Sequence, residues 1–401
     1  MNVKHEKFDV AVCGCGSAGF CAAVSAARCG ASVAVIEKYH APGGILTVLG
    51  NNSIDQFNNP FKKDKKMIIG GIGWELVSRL YRDGYASIPD MNAPYREHSQ
   101  YGVKVNPVAA AKIMDDMLIG ENVRLYYGQP AVDVVTEQRE VKSVIIATKD
   151  GLCSIDADIF IDCTGDGDLA HLAGAQTVGG DGNGVFQPGT LRYYPAVKAD
   201  EGDKILNFGD NRNHVKIDPT SSDAITLAEI ESRRMMYAQM QKGVGIMATA
   251  PAVAAREGRR ILGLTTMLAE DYMSGKQHAD SICYTFWFID IHRDGMAAEI
   301  HYINSENTPT VRLSSMISAD FDNLMMAGRC ISTDRQTNSA IRVKASCMAM
   351  GPAVGAAAAI SVQKRIFPAS LDVDELKRTL SDSGAIVPGI CDGLDFVLPK
   401  Y

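Results

Sequence analysis

The stretch FDVAVCGCGSAGFCAAVSAARCGASVAVIEKYHAPGG, Phe8 to Gly44, decides the fold of this chain. Its first residues, 8–13, are apolar and β-prone and predict a buried strand. A loop with the G-x-G-x-x-G spacing follows and opens an Ala-rich helix, which we expect over 17–29. A second apolar strand over 32–36 ends on Glu37. Strand, glycine loop, helix, strand and acid together predict a dinucleotide-binding unit.

Each part of this unit has a physical role in holding a dinucleotide. Gly14 permits the tight turn out of the strand, Gly16 lets a pyrophosphate approach the backbone, and Gly19 lets the helix pack closely. The helix N-terminus offers free N–H groups and partial positive charge to the phosphates. Glu37 is expected to accept hydrogen bonds from the ribose hydroxyls. The alternative interpretation is a glycine-rich turn in an ordinary α/β domain.

Composition excludes several classes of function. The chain has 401 residues, which predicts a large core and about two domains. Forty basic against 47 acidic side chains leave a net charge of −7, which argues against nucleic acid or an anionic membrane as a partner. The ten cysteines form no CxxC pair and no Cys/His cluster, so we expect reduced thiols and no metal site. No signal peptide or membrane span is expected, which favours a cytoplasmic protein.

The middle of the chain is predicted to continue the α/β domain and then leave it. A helix over 108–118 and a strand over 123–127 come first. Three short strands joined by polar turns then predict an antiparallel meander, over 131–136, 141–148 and 152–155. A last apolar strand over 159–163 ends in Thr164-Gly165-Asp166. Further strands are expected over 190–197 and 281–291, with a helix over 224–242.

This arrangement resembles known flavoproteins. A nucleotide-binding unit, a meander and an apolar strand ending in D-x-T-G-D resemble the two-dinucleotide-binding-domain flavoproteins related to glutathione reductase and fumarate reductase. More narrowly, residues 160–170 and motifs near the C-terminus resemble the bacterial FAD-dependent oxidoreductase family. The resemblance implies FAD and an α/β fold. Residues 1–175 and 303–401 would form a Rossmann-like FAD-binding domain with a parallel sheet and meander crossover, and 176–302 an inserted mixed α+β substrate domain.

The resemblance and the glycine-rich unit together predict the positions that contact the FAD. They are Gly14, Gly16, Ser17, Ala18, Gly19, Glu37, Lys38, Gly43, Gly44, Ile45, Val132, Thr164, Gly165, Asp166, Gly328, Arg329 and Gly351. Related flavoproteins often have an acid after the glycine at position 328, where this chain has Arg329. That guanidinium is expected to pair with a phosphate or the flavin. Pro352 is expected in the first turn of a helix that points at the isoalloxazine.

Three residues are the first candidates for catalysis or substrate contact. His292, in an Asp-x-His stretch, has the ordinary pKa range for proton transfer; a structural histidine is the alternative. Arg335 and Arg342 are expected to clamp an anionic or polyhydroxy substrate, unless they lie on the surface or pair with phosphate. Arg259 and Arg260 are further candidates, with a salt bridge to Glu257 or another acid as the alternative.

The residues and the resemblance favour an FAD-dependent oxidoreductase. A hydride would pass between a small polar organic substrate and flavin N5, by alcohol or amine dehydrogenation or by reduction of an activated C=C bond. Oxygen, a quinone or another protein would exchange the electrons. The alternatives are an electron-transfer or scaffold subunit of a redox complex, and an NAD-binding or thiazole-synthase-like protein. A homo-oligomer is left open.

Overall fold

The structure is a computed structural model that describes residues 3–62, 64–94, 98–196, 208–210, 214–303 and 307–397. Its helices α1–α9 are, in order, Ser17–Arg28, Ile72–Arg82, Pro107–Gly120, Asp168–Ala173, Ser222–Gln241, Ala269–Ser274, Arg335–Ile341, Lys344–Lys364 and Val373–Asp382. Its strands β1–β19 are Lys4–Cys13, Val33–Glu37, Ser53–Ile54, Ala86–Ser87, Val103–Val105, Arg124–Tyr127, Ala131–Glu137, Glu140–Thr148, Gly151–Asp162, Thr177–Gly179, Arg192–Pro195, Gly209–Asp210, Ile246–Thr249, Arg259–Ile261, Ser281–Tyr284, Ile289–Ile291, Glu299–His301, Thr310–Arg312 and Leu324–Met326.

The described residues build one large sheet, which confirms the predicted α/β fold. Its strand order is β6-β2-β1-β9-β8-β7, and β19 also pairs with β9. Strands β6, β2, β1, β9 and β19 pair in parallel. Strands β7 and β8 pair antiparallel and form the predicted meander with the first half of β9. Both parts of the predicted sheet are therefore present.

Strand β9 corrects one sequence prediction. We expected separate strands over 152–155 and 159–163, but Gly151–Asp162 is one continuous strand. The polar residues between them stay in the strand because β1 pairs with β9 from Lys4 to Cys13. A contact from His5 to Asp156 (3.6 Å) and an ion pair from Lys7 to Asp158 (3.8 Å) lie across this pairing. Pairing with a distant segment therefore overrides the local turn signal.

Helix α8 packs against α1 through its glycines. A Cβ on Gly351 would lie 2.7 Å from Cβ of Cys21, and a Cβ on Gly355 would overlap the carbonyl oxygen of Ala22. The helix starts at Lys344, so Pro352 lies within it and not in its first turn, which corrects the expectation. Ser25 Oγ donates to the carbonyl of Pro352 at 2.9 Å. The two backbones can approach this closely because the contact residues are small.

Helix α8 is a core helix. Among the described residues it is the one helix with the length and apolar composition to cross a bilayer, yet 89% of its apolar window is buried inside the protein. Its burial against α1 and the sheet accounts for its apolar sequence.

The region between residues 176 and 302 contains smaller sheets and a second core. Strand β11 pairs with β12 and β13, and β10 pairs with β14. A cluster that includes Leu191, Val215 and Met236 is separate from the main core. The predicted strand over 190–197 is shorter, and Val197 lies outside the described residues. The predicted strand over 281–291 is divided into β15 and β16. The domain boundaries stay a prediction.

The α1–α8 contact predicts that a glycine-to-alanine substitution inside a helix destabilises this protein, although such a change usually stabilises a helix. Gly355→Ala improves intrinsic helix propensity by about 1 kcal/mol, but its Cβ would overlap the backbone of α1. We expect a net loss of about 1–3 kcal/mol in the free energy of unfolding, because overpacking costs more than the propensity gained. Urea unfolding measures the change.

Gly120→Ala is the matched control, because Gly120 is also helical and a Cβ there meets no described atom within 4 Å. We expect it to be neutral or slightly stabilising. If both substitutions stabilise the protein equally, the described α1–α8 contact is wrong.

Candidate functional site

A cavity of about 460 Å³ opens where several strands of the large sheet end. Cys13 ends β1, Glu37 ends β2, and Cys163 follows β9, and all three line the cavity. Several residues from 217 to 255, in the region predicted to be inserted, also line it. Ligands of open α/β sheets bind at the carboxyl ends of the strands, and the volume lies in the usual range for ligand pockets, about 300–1,000 Å³.

The three loop glycines differ in what surrounds them. Gly14 has φ of +92°, and a Cβ there would lie 2.6 Å from the carbonyl carbon of Cys163. A Cβ on Gly19 would overlap the carbonyl oxygen of Gly14. Gly14 and Gly16 both line the cavity, but a Cβ on Gly16 would meet no atom of the described residues within 4 Å. Gly14 and Gly19 therefore serve packing, while Gly16 leaves open space for a ligand at the start of α1.

Glu37 lies buried at the edge of the cavity. Its Oε2 accepts from the backbone N–H of Cys15 at 2.6 Å and its Oε1 from that of Tyr39 at 2.8 Å. Burial raises the pKa of this carboxyl, although these N–H donors oppose the shift. Because a carboxylate has about four lone-pair sites, these bonds leave acceptor capacity for hydroxyl groups in the cavity.

The segment after Tyr39 returns to the glycine loop. The backbone N–H of Gly43 donates to the carbonyl of Cys15 at 2.7 Å. A Cβ on Gly44 would lie 3.3 Å from Cα of Gly16. Gly44 and Ile45 line the cavity. Gly44 therefore forms a wall of the same site, beside the loop that starts α1, whereas Gly43, a predicted FAD contact, is not a lining residue and packs against Thr47.

Asp162 holds the turn after β9, and the sequence analysis did not single it out. Its Oδ1 accepts from the N–H of Thr164 (3.0 Å) and from Oγ1 of Thr164 (2.7 Å), and its Oδ2 accepts from the N–H of Ala170 (3.0 Å). Complete burial raises its pKa to about 6. The available signal was its place as the first Asp of D-x-T-G-D. Asp162 thereby positions Thr164 and Gly165 in the cavity wall.

Arg329 pairs with an acid of the same site. Its Nη2 lies 2.7 Å from Oδ1 of Asp166, and both residues line the cavity. A Cβ on Gly165 would lie 3.0 Å from Cζ of Arg329. Within the described part of the chain, Nε of Arg329 is buried without a hydrogen-bond partner. The guanidinium is therefore anchored by Asp166 and keeps an unused donor.

Asp168 and Arg259 form a second ion pair in the cavity wall. Nη1 of Arg259 lies 3.1 Å from Oδ1 of Asp168, and Nζ of Lys38 lies 3.8 Å from Oδ2 of Asp168. Asp168 begins α4. The salt-bridge alternative for Arg259 is thus confirmed. Arg260 is buried and donates to the carbonyl of Gly180 at 2.8 Å.

Several predicted site residues lie elsewhere, as far as the described residues show. Val132 is 44% exposed, and its neighbours Pro130 and Ala131 line the cavity instead. Gly351 packs against α1. Arg335 is not a lining residue; its Nη2 lies 2.7 Å from Oε1 of the fully buried Glu257.

His292 belongs to a polar cluster beside the cavity. Its Nε2 lies 3.1 Å from Oδ2 of Asp290, and its ring centroid lies 5.1 Å from that of His214. Arg342, which lines the cavity, donates through Nη2 to the carbonyl of Asp290 at 2.8 Å and through Nη1 to that of Arg256 at 3.0 Å. Although burial opposes it, the bond from His292 and the charge of Arg342 lower the pKa of Asp290. Arg342 therefore connects this cluster to the cavity.

The sequence was compared with models of known protein families. The sequence matches the family model described as FAD dependent oxidoreductase over residues 9–235 and 210–380. These two ranges span nearly all of the chain. A search of curated proteins gave no match to this sequence.

Solved structures are similar to this chain at low sequence identity. BexE, from BE-7585A biosynthesis, is 11% identical with a TM-score of 0.50, over 94% of this chain and 66% of that one. A geranylgeranyl bacteriochlorophyll reductase-like protein from Thermoplasma acidophilum is 11% identical with a TM-score of 0.44, over 95% and 84%. OxyS anhydrotetracycline hydroxylase from Streptomyces rimosus is 12% identical with a TM-score of 0.47, over 94% and 66%. This chain thus spans about two thirds of the length of two of them.

Asp162 predicts a pH dependence of stability. Its folded pKa of about 6 lies above the ordinary value near 3.9, so its contribution is fully present below pH 3.9 and is lost as the pH rises through 6. A difference of about two pKa units corresponds to about 3 kcal/mol. We therefore expect wild type to lose up to about 3 kcal/mol relative to Asp162→Asn between pH 4 and pH 7.

Urea unfolding of both proteins at pH 4, 5, 6 and 7, with equal FAD content, measures this difference. The variant is expected to be the less stable protein at pH 4, because its amide N–H₂ faces the N–H of Ala170. A stability difference that stays constant over the whole range would contradict the raised pKa.

Proposed function

The chain belongs to the family of FAD dependent oxidoreductases, and on this premise we propose that it transfers a hydride between a small polar organic substrate and N5 of FAD. One observation carries the proposal. A single cavity joins the glycine loop at Gly16 to the charged side chains of Arg342 and Lys344. The glycine loop at one end of the cavity suits a dinucleotide. The charged groups of Arg342 and Lys344 at the other end are not needed to bind the phosphates of a dinucleotide.

The residues present fit FAD. Gly16 faces open space at the N-terminus of α1, where the pyrophosphate would lie. Glu37 has acceptor capacity for the ribose hydroxyls. Arg329 keeps a buried donor, Nε, that an anionic or carbonyl group could satisfy. When bound, FAD supplies the two-electron centre that takes up or releases a hydride at N5.

Arg342 is the residue of this chain that we propose to bind and orient the substrate. Its side chain is about one-tenth exposed and is fixed by two backbone carbonyls, those of Asp290 and Arg256. A guanidinium stays charged at all relevant pH values and binds carboxylate or hydroxyl oxygens with defined geometry. Arg342 thereby holds the reacting carbon in one orientation without side-chain rearrangement.

His292 and Arg335 are assigned supporting roles. Because His292 contacts Asp290 and not the cavity, we propose that it holds Asp290 in place behind Arg342. Its Nε2 faces the Asp290 carboxylate. Arg335 neutralises Glu257, which also accepts from the N–H of Gln187 at 2.6 Å. Removing Arg335 would leave a buried carboxylate without its cation.

The inserted region would exclude water from the reaction. Ile217, Ile225 and Val253 line the cavity with apolar side chains. An apolar, dry wall strengthens the charge of Arg342 and protects reactive species from hydrolysis. Alcohol or amine dehydrogenation and reduction of an activated C=C bond both fit this arrangement. Electrons would leave or arrive through oxygen, a quinone or another protein.

An anaerobic screen tests the function. The protein is expected to purify yellow and to release FAD on denaturation. Sugars, polyols, hydroxy acids and amines are added without oxygen, and a true donor bleaches the flavin absorbance. If every donor fails, the reductase direction is tested with chemically reduced protein and unsaturated acceptors. A colourless protein that cannot be loaded with FAD, or one inert in both directions, would defeat the proposal.

Gly16 predicts a binding defect without a folding defect. A side chain at this position would enter the cavity and not the core. We expect Gly16→Val to weaken FAD binding at least tenfold, about 1.4 kcal/mol, because the pyrophosphate can no longer approach the backbone. Fluorescence titration of the apoprotein with FAD measures the dissociation constant.

Gly120→Val is the control, because Gly120 also has open space around it and lies outside the cavity lining. It is expected to bind FAD as wild type does. Equal FAD affinity for the two variants would show that Gly16 does not face the cofactor.

A further inference from the structure

The charged side chains of the cavity wall are unevenly paired. Asp166 pairs with Arg329, and Asp168 with Arg259. Glu37 is held by backbone N–H groups. One lining cation is left over: Lys344 has no hydrogen-bond or ion-pair partner among the residues that the structure describes.

Lys344 is buried and faces the cavity. It is 8% exposed and is the first residue of helix α8. Burial lowers the pKa of its ammonium, and the nearby carboxylate of Asp55 opposes this only in part. A buried cation without a partner costs free energy. Such a group is retained at a cost to stability, which points to a ligand that compensates it.

Arg342 lies two residues before Lys344 and lines the same cavity. Its two bonds go to backbone carbonyls, and the Asp290 carboxylate is 3.8 Å away and shared with His292. The positive charge of Arg342 is therefore only partly compensated. The partial positive charge of the α8 N-terminus adds to both cations.

These cations lie apart from the expected phosphate position. Gly351 packs against Ala18 and Gly355 against Ala22, so α1 and α8 run parallel. Helix α8 starts about two turns before its contact with Ala18, which places Lys344 about 9 Å beyond the start of α1 along the helix axis. The pyrophosphate end and the Lys344 end are thus different parts of the cavity.

We propose that Lys344 and Arg342 form an anion-binding subsite for a delocalised organic anion at the α8 end of the cavity. The proposal rests on the proposed function, and the anion has two sources that share this chemistry. One is a carboxylate of the substrate, which would make the substrate an organic acid. The other is the negative charge that the flavin carries when reduced. The cavity lining near Arg342 includes Ala252, Val253 and Ala255. Nη1 of Arg342 donates to the carbonyl of Arg256, the residue after Ala255.

Three variants test the subsite. Lys344→Met removes the charge and keeps the chain length, and Lys344→Arg restores the charge. Lys364→Met removes a charge from the last turn of the same helix, where Lys364 is half exposed and pairs with Glu375. Because Lys344 is buried without a partner in the described part of the chain, Lys344→Met is expected to fold and to melt at the same temperature as wild type or above it.

The first measurement uses carboxylates and their uncharged amides. Benzoate and acetate are titrated calorimetrically into the oxidised holoenzyme, with benzamide and acetamide as neutral controls. If the substrate is the source, wild type binds a carboxylate and Lys344→Met weakens its dissociation constant at least tenfold. The dissociation constants of the neutral amides are the same in Lys344→Met as in wild type. Lys344→Arg and Lys364→Met keep the dissociation constant of wild type for the carboxylate.

The second measurement is the two-electron reduction potential of the bound flavin. If the reduced flavin is the source, Lys344→Met lowers the potential by an amount equivalent to at least tenfold in the equilibrium constant, about 30 mV. Lys344→Arg and Lys364→Met keep the potential of wild type. The subsite is overturned if Lys344→Met changes neither carboxylate binding nor the potential.

These outcomes are separable from failure of the proposed function. A wild-type protein that holds no FAD refutes the function directly, before any variant is made. The carboxylate titration can then still be carried out on the protein without cofactor. A holoenzyme with measurable oxidation or reduction of a substrate, but no effect of Lys344→Met on either measurement, refutes the subsite alone.

Discussion

The close packing of helices α1 and α8 is the constraint on which the site depends. Gly351 and Gly355 let α8 lie against the backbone of α1 near Ala18 and Ala22. Because the helices are parallel, their N-termini reach the same cavity with an offset of about two turns. Phosphate chemistry at α1 and anion chemistry at α8 are therefore held in one fixed relation. A larger residue at either glycine would move the N-termini of α1 and α8 apart before it affected any contact with a ligand.

Electrostatic pairing determines which side chains of the cavity are available to ligands. Asp166 and Asp168 are engaged with Arg329 and Arg259, so these acids shape the wall and do not serve as free acceptors. Asp162 acts beneath them by orienting Thr164 through hydrogen bonds. At the α8 end of the cavity, the charged groups left for chemistry are the cations Arg342 and Lys344. A site of this kind favours negative charge in whatever it binds.

The sequence predicted the features that neighbouring residues determine, and it missed those that depend on residues far apart in the chain. The Phe8–Gly44 unit, the meander and the order of helices follow from periodicity and turn residues, and the structure has them. Strand β9 was divided wrongly because the residues that keep it continuous belong to β1, far away in the chain. Pro352 was placed in a first turn because proline favours that position. Burial of α8 against α1 extends the helix back to Lys344 instead.

By itself the sequence determined the dinucleotide-binding unit, the α/β fold and, by resemblance, the use of FAD, because these follow from spacing along neighbouring residues. Only the tertiary structure decided which charges remain unpaired. Arg329 meets Asp166 across more than 160 residues, and Arg335 meets Glu257 across 78. Lys344 carried no sequence signal, since a lysine at a helix start is ordinary until its burial, and its lack of a partner among the described residues, are known. An ion pair depends on distance in space, which local sequence patterns do not encode.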